Sequence, residues 1–169
     1  MNAPSTFHSI TEQDWLRHDK HFPSGADLTL QVLKGHLLVE ELLREIFSLQ
    51  LPFPEALKGN RGTSFECHQI ICLVQAITLH SDKEPWLWDA AKRLNGIRND
   101  LAHKLEPKAL DTKIQSLIQS IMDNPVSKKV VAEQGLPEGR EFELIVLAMC
   151  SCLSSLKAVL MLKALSKPA

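Results

Sequence analysis

The sequence predicts an all-α protein, an antiparallel bundle of about five helices. Apolar residues recur at helical spacing along most of the chain, capping residues precede the apolar runs, and the alternation typical of β-strands is missing. The 169 residues match the length of one domain. We expect an N-terminal arm over residues 1–23, with a short helix at Thr11–His18, and a single helical-bundle domain over residues 24–169.

Capping residues and prolines set the predicted helix bounds. Pairs with capping-box spacing precede three helices: Ser24 and Asp27, Thr63 and Glu66, and Ser81 and Glu84. Prolines at 52 and 54 end the first of these helices, and Glu106-Pro107 begins a fourth that runs through Ile121. The predicted helices lie near residues 24–50, 63–79, 86–103, 106–121 and 141–165. The stretch Asp123–Arg140, which contains prolines and glycines, is predicted to be a loop.

Two features of the long helices predict a two-fold homodimer. Gly35 lies inside the apolar face of the first long helix, where glycine costs about 1 kcal/mol relative to alanine. We therefore expect a neighbouring helix or a second subunit to approach its backbone. The final helix, Glu141–Leu165, is apolar nearly all round, as is typical of a central helix or an oligomer interface.

Composition limits the function classes. A net charge of −1 argues against a protein that coats nucleic acid over its whole surface. The segment from Lys92 to Lys113 is locally basic, although a solvated helix face of mixed charge explains this pattern as well. The chain shows neither a secretory signal nor a membrane-spanning run, so we expect a cytoplasmic protein that does not bind membranes.

No metal or cofactor site is predicted from the spacing of possible ligands. The four cysteines do not have the spacing of a zinc site. His36 and Glu40 are one helical turn apart and are possible ligands, but an ordinary surface pair is the favoured interpretation. Cys67, His68 and Cys72 provide too few ligands, and core packing explains them better.

Arg98 occupies a position where the helix 86–103 should be apolar. Burying an unpaired guanidinium is costly, so Arg98 needs a partner, a wet cleft or an interface. His103 lies about 140° further round a straight helix. Both residues can serve one site only if the helix ends or kinks between them, or if a second subunit completes the cleft. In a purely structural alternative, Arg98 pairs with Glu40 or Glu66, and His103 interacts with carbonyls at the helix end.

The run Arg98-Asn99-Asp100-Leu101-Ala102-His103 resembles the signature of the HEPN superfamily, an arginine and a polar residue followed a short distance on by a histidine. The order of an apolar helix around Phe65–Ile77 and a helix ending in this run is also similar to the mannitol-operon repressor family, a related set of helical proteins. The HEPN resemblance implies a dimeric antiparallel bundle and a metal-independent endoribonuclease of a toxin–antitoxin or defence system. The repressor resemblance implies a non-catalytic regulatory or interaction protein.

The HEPN resemblance also assigns roles and partners. His103 is the expected acid–base group for the ribose 2′-OH, and Arg98 the group that holds the phosphate. Asn99 is expected to orient His103 or the phosphate, and Asp100 to pair with Lys104. The expected partners are RNA, a second copy of the chain, and an antitoxin or regulatory protein. The tyrosine that is AMPylated in some HEPN toxins is replaced by Leu105, and the chain has no tyrosine, which excludes that mode of neutralisation.

Overall fold

The computed structural model describes residues 10–57, 65–104, 108–133 and 139–165, and over these ranges the chain is helical with no strand. The all-α prediction is confirmed. These ranges contain seven α-helices: α1 Glu12–His21, α2 Leu28–Gln50, α3 Cys67–Ile77, α4 Pro85–His103, α5 Leu110–Asp123, α6 Pro125–Glu133 and α7 Glu141–Leu165. Two short 3₁₀ helices, Pro54–Leu57 and Ser81–Lys83, lie before α3 and α4.

The start of α2 differs from the prediction. The helix begins at Leu28 rather than near Ser24, because the side chain of Asp27 accepts the backbone N–H of Leu30 and acts as the N-cap. The Ser24 hydroxyl instead donates to Glu143 at the start of α7, at 2.8 Å. Ser24 therefore ties the connection before α2 to another helix.

The starts of α3 and α4 differ from the predicted capping boxes. Ser81 lies in the 3₁₀ helix before α4, and Glu84 is the N-cap of α4 without a side-chain capping hydrogen bond, so the box predicted from these two residues does not form. Glu66 is the N-cap of α3 and forms a capping box with Gln69, whereas Thr63 lies outside the described residues. Pro85 occupies the first turn of α4, which then runs without a break to His103. α5 begins at Leu110, and its predicted start at 106–107 lies outside the described residues.

The predicted loop over Asp123–Arg140 is wrong in its first half, which forms α6. Pro125 is the first residue of this helix, a position where the missing N–H has no cost. The side chain of Asn124 accepts the backbone N–H groups of Val126 and Ser127. Val130 and Val131 are buried, so packing stabilises a short helix that turn-forming residues obscure in the sequence.

The core forms around α2 and α7, which run parallel. A Cβ atom on Gly35 would lie 3.0 Å from Val146 Cγ2, so the close approach predicted at this glycine is made by a neighbouring helix of the same chain. Further along both helices, Glu45 meets Lys157 at 2.8 Å. The antiparallel prediction therefore does not hold for this pair, because four helices lie between them in the chain and no short turn fixes their direction. α4 does run antiparallel to α2.

α1 lies within the predicted arm and is attached to α7 and α2 by a buried ion pair. Asp14 meets Lys157 Nζ at 2.5 Å, and both side chains are buried. Burial alone would raise the pKa of Asp14, but hydrogen bonds from Lys157, Ser154 and Thr11 hold it below its usual value. Lys157 also binds Glu45 on α2, so one ammonium group joins three helices.

α7 is the one helix in the described ranges with the length and composition to cross a membrane. Of its most apolar window, 67% is buried against the other helices, which is the burial of a central core helix. The last turn differs, because Leu162 and Leu165 are exposed.

Candidate functional site

Arg98 lies half-buried on α4, next to α2 and α3. Its Nη1 donates to the side-chain oxygen of Asn99 at 3.2 Å. Within the described ranges its guanidinium makes no ion pair, since Glu40 binds Arg44 and Glu66 caps α3. The structure thus shows neither of the two carboxylate pairings considered for Arg98, and among the described residues no carboxylate is in direct contact with its guanidinium.

His103 is exposed and is the last residue of α4. Because α4 is unbroken from Arg98 to His103, the two side chains leave the helix about 140° apart. A single chain therefore does not bring them to one site. Asn99 contacts Arg98 rather than orienting His103.

Asp100, in the same run, has a structural role. It pairs with Lys104 at 2.5 Å, as predicted, and also with Lys113 on α5. Hydrogen bonds from Lys104 and Lys113 lower its pKa to about 2. Asp100 of α4 and Lys113 of α5 line an open cleft of about 430 Å³ between the two helices.

A second group of polar side chains lies where α2, α3 and α4 meet, and we call His36, Glu40 and Cys67 the interhelix cluster. His36 is only 2% exposed, so the interpretation of His36 and Glu40 as an ordinary surface pair is wrong. His36 Nε2 lies 3.1 Å from the side-chain oxygen of Asn95, which can only accept, so Nε2 carries the proton. Nδ1 then has a free lone pair, and it has no hydrogen-bond partner in the described part of the chain.

Cys67 completes the cluster from the first turn of α3. Its Sγ and the ligand atoms of His36 and Glu40 all lie within 4.8 Å of one another. Burial raises the pKa of the Cys67 thiol to about 11. Sequence reasoning grouped Cys67 with its chain neighbours His68 and Cys72, but those two form a separate exposed pair at 3.6 Å.

Arg98 borders this cluster. Burial is the main cause that lowers the pKa of His36, and the charge of Arg98 lowers it further. Burial raises the pKa of the Cys67 thiol, and the charge of Arg98 partly opposes this by lowering it. Helical spacing identified Arg98, and the pair His36 and Glu40, from the sequence. The approach of Cys67 carried no sequence signal, since it depends on how α3 crosses α2.

An apolar groove of about 430 Å³ lies at the opposite end of α4, between the ends of α2, α3 and α7. Its walls include Leu79, Leu87 and Leu160. Leu79 is 77% exposed, and Leu162 and Leu165 extend the apolar surface along the last turn of α7. Leu87 and His103 lie about 24 Å apart along the helix axis, so the groove and the Arg98 region are separate sites.

No family model, curated protein or solved structure matches the chain. Interpretation of these sites therefore depends on their geometry and on the residues of the run from Arg98 to His103. Of the three residues predicted to form the catalytic site, Arg98 and Asn99 are in contact and His103 lies on another face of α4.

Proposed function

We propose that the chain is a HEPN-like, metal-independent endoribonuclease of a toxin–antitoxin or defence system. The main support for the proposal is the environment of Arg98. Its guanidinium is half-buried, and its direct partner in the described ranges is the neutral amide of Asn99. A guanidinium offers a planar set of donors that matches phosphate oxygens. An RNA phosphate at Arg98 would provide the negative charge that the described residues do not place in contact with it.

In this proposal His103 is the acid–base group. An exposed imidazole can accept the proton of a ribose 2′-OH. The 2′-oxygen attacks phosphorus, the bond from phosphorus to the 5′-oxygen breaks, and the leaving 5′-oxygen takes a proton from water, so the products carry a 2′,3′-cyclic phosphate and a 5′-hydroxyl. Arg98 stabilises the charge of the phosphorane, and Asn99 positions the Arg98 guanidinium.

The proposal requires two copies of the chain. Arg98 and His103 diverge on an unbroken α4, so one active site would combine Arg98 of one protomer with His103 of the other. The ends of α4 then face each other across a two-fold axis. The apolar groove lies about 24 Å away, and a dimer through that groove would not form such a site.

The deciding experiment is digestion of single-stranded and structured RNA by the purified chain in the presence of EDTA. We expect products with 2′,3′-cyclic phosphate ends. His103→Ala should lower the rate by about 10²–10⁴, whereas His21→Ala, which removes another exposed histidine, should leave it unchanged. A wild-type chain that cuts no RNA, or a His103→Ala variant as active as wild type, would refute the nuclease proposal.

A second candidate function, that of a non-catalytic regulatory protein like the mannitol-operon repressor family, is supported by the apolar groove. Exposed leucines beside a concave apolar surface are typical of sites that bind another protein. An antitoxin or regulatory partner could bind there without approaching Arg98. The two candidates therefore use different ends of the molecule, which allows them to be tested separately.

A further inference from the structure

We propose that the interhelix cluster is a binding site for a divalent transition-metal ion, with Zn²⁺ as the preferred ion. The ligands are Nδ1 of His36, one carboxylate oxygen of Glu40 and Sγ of Cys67. The site is separate from the chemistry proposed for Arg98 and His103, and metal binding can be measured without any RNA.

The strongest support comes from His36. Its Nε2–H donates a hydrogen bond to Asn95, so the lone pair of Nδ1 faces the cluster. The His36 side chain is only 2% exposed. Nδ1 lies 3.7 Å from Glu40 Oε2, which is also an acceptor. Two acceptors that face each other, one buried and one 17% exposed, are unfavourable unless a cation lies between them. Ligands of a tetrahedral zinc ion lie about 3.3–3.8 Å apart, given metal–ligand bonds of about 2.0–2.3 Å.

The ligand atoms are also held in place by neighbouring groups. Arg44 donates to Glu40 Oε1 from Nε at 3.0 Å and from Nη2 at 2.5 Å, which leaves Oε2 free to face His36. The same Nη2 donates to the carbonyl oxygen of Phe65 at 2.9 Å and so fixes the backbone just before Cys67. Hydrogen bonds that orient the ligands in this way are typical of metal sites in proteins.

Cys67 supplies the ligand that favours zinc. It is the first residue of α3, so its side chain lies at the positive end of the helix dipole. Since the free thiol has a pKa of about 11, metal binding would displace its proton to solvent. A set of imidazole nitrogen, carboxylate oxygen and thiolate sulfur suits Zn²⁺, and three protein ligands leave a fourth position for water or a small molecule. The positive charge of Arg98 opposes binding, so we expect weaker affinity than in a four-ligand structural site.

The test is titration of the metal-free chain with Co²⁺, which reports sulfur coordination through a thiolate-to-cobalt charge-transfer band. We expect one equivalent of Co²⁺ to produce this band and Zn²⁺ to remove it by displacement. Cys67→Ser should abolish the band. Glu40→Gln, which keeps the side-chain shape, should weaken Co²⁺ binding by at least about tenfold.

The matched control is Cys72→Ser, which disrupts the exposed pair of His68 and Cys72 and should leave the band intact. Absence of the band in the wild-type chain, its survival in Cys67→Ser, or its loss in Cys72→Ser would overturn the proposal. If Cys67→Ser does not fold, the Co²⁺ affinity of Glu40→Gln is the deciding measurement. An affinity equal to that of the wild-type chain would refute the site. None of these results depends on whether the chain cleaves RNA.

Discussion

The two ends of α4 satisfy their polar groups in different ways. At the N-terminal end, Trp86 and Trp88 are buried, and each indole N–H has a partner, the Glu84 carboxylate at 2.6 Å and the carbonyl of Ser81 at 2.9 Å. At the C-terminal end, Arg98 contacts only the neighbouring amide within the described ranges, and His103 is exposed. The N-terminal half thus pairs its buried indole groups within the fold, while the C-terminal half keeps the charge of Arg98 available for a ligand.

The largest predicted effect concerns the C-terminal end of α4, where RNA cleavage should recover when two inactive variants are mixed. Arg98→Ala and His103→Ala should each lose about 10²–10⁴ in cleavage rate. After mixing under conditions that allow subunit exchange, we expect about a quarter of wild-type activity, because half of the dimers are mixed and each holds one intact site. The measurement is the initial rate of RNA cleavage after exchange. Loss of activity in each variant alone with no gain on mixing would place both residues in a single-chain site and break the dimer argument.

The next effect is on stability at the opposite end of α4. Trp88→Ala removes a side chain that is 2% exposed and should lower the free energy of unfolding by about 3–5 kcal/mol. Urea denaturation followed by circular dichroism measures this change. His103→Ala, on the same helix, is the control and should alter stability by less than about 0.5 kcal/mol. Equal losses from the two variants would mean that the C-terminal end also contributes to the core.

The smallest effect concerns the apolar groove. Leu79→Ser alters a side chain that is 77% exposed, so stability should change by less than about 0.5 kcal/mol. We expect RNA cleavage at the wild-type rate, measured in the same assay as the His103 variants. If Leu79→Ser slows cleavage as strongly as His103→Ala, the two ends are coupled and cannot be treated as separate sites.

Sequence reasoning predicted the elements of the fold better than their arrangement. The bounds of α7 agree with the prediction, because it is a long and largely apolar segment that follows Gly139. Those of α4 differ from it by one residue, because its apolar pattern is periodic and a proline marks its start. α6 was missed because turn-forming residues at 123–125 act here as a helix start. The parallel direction of α2 and α7 could not be read from the sequence, since pairing of distant helices leaves no local pattern.

In the candidate site too, residues with a local sequence signal were predicted and contacts between helices were not. Arg98 was identified because a charged residue interrupts an apolar stripe, which is a local signal. The approach of Cys67 to His36 joins two helices and has no local signal in the sequence. The sequence grouped Cys67 with its chain neighbours His68 and Cys72 and favoured core packing for them, but these two neighbours lie on the exposed side of α3.

The parallel pairing of α2 and α7 has a consequence for the order of folding. Glu45 and Lys157, which meet across this pair, are 112 residues apart in the chain. Closing a loop of that length is slow compared with forming a helical hairpin, because the entropy of closure must be lost before the contact forms. We therefore expect the hairpin of α3 and α4 to form early and α7 to dock late. Until it docks, the apolar face of α2 around Gly35 stays uncovered and the intermediate is prone to aggregate.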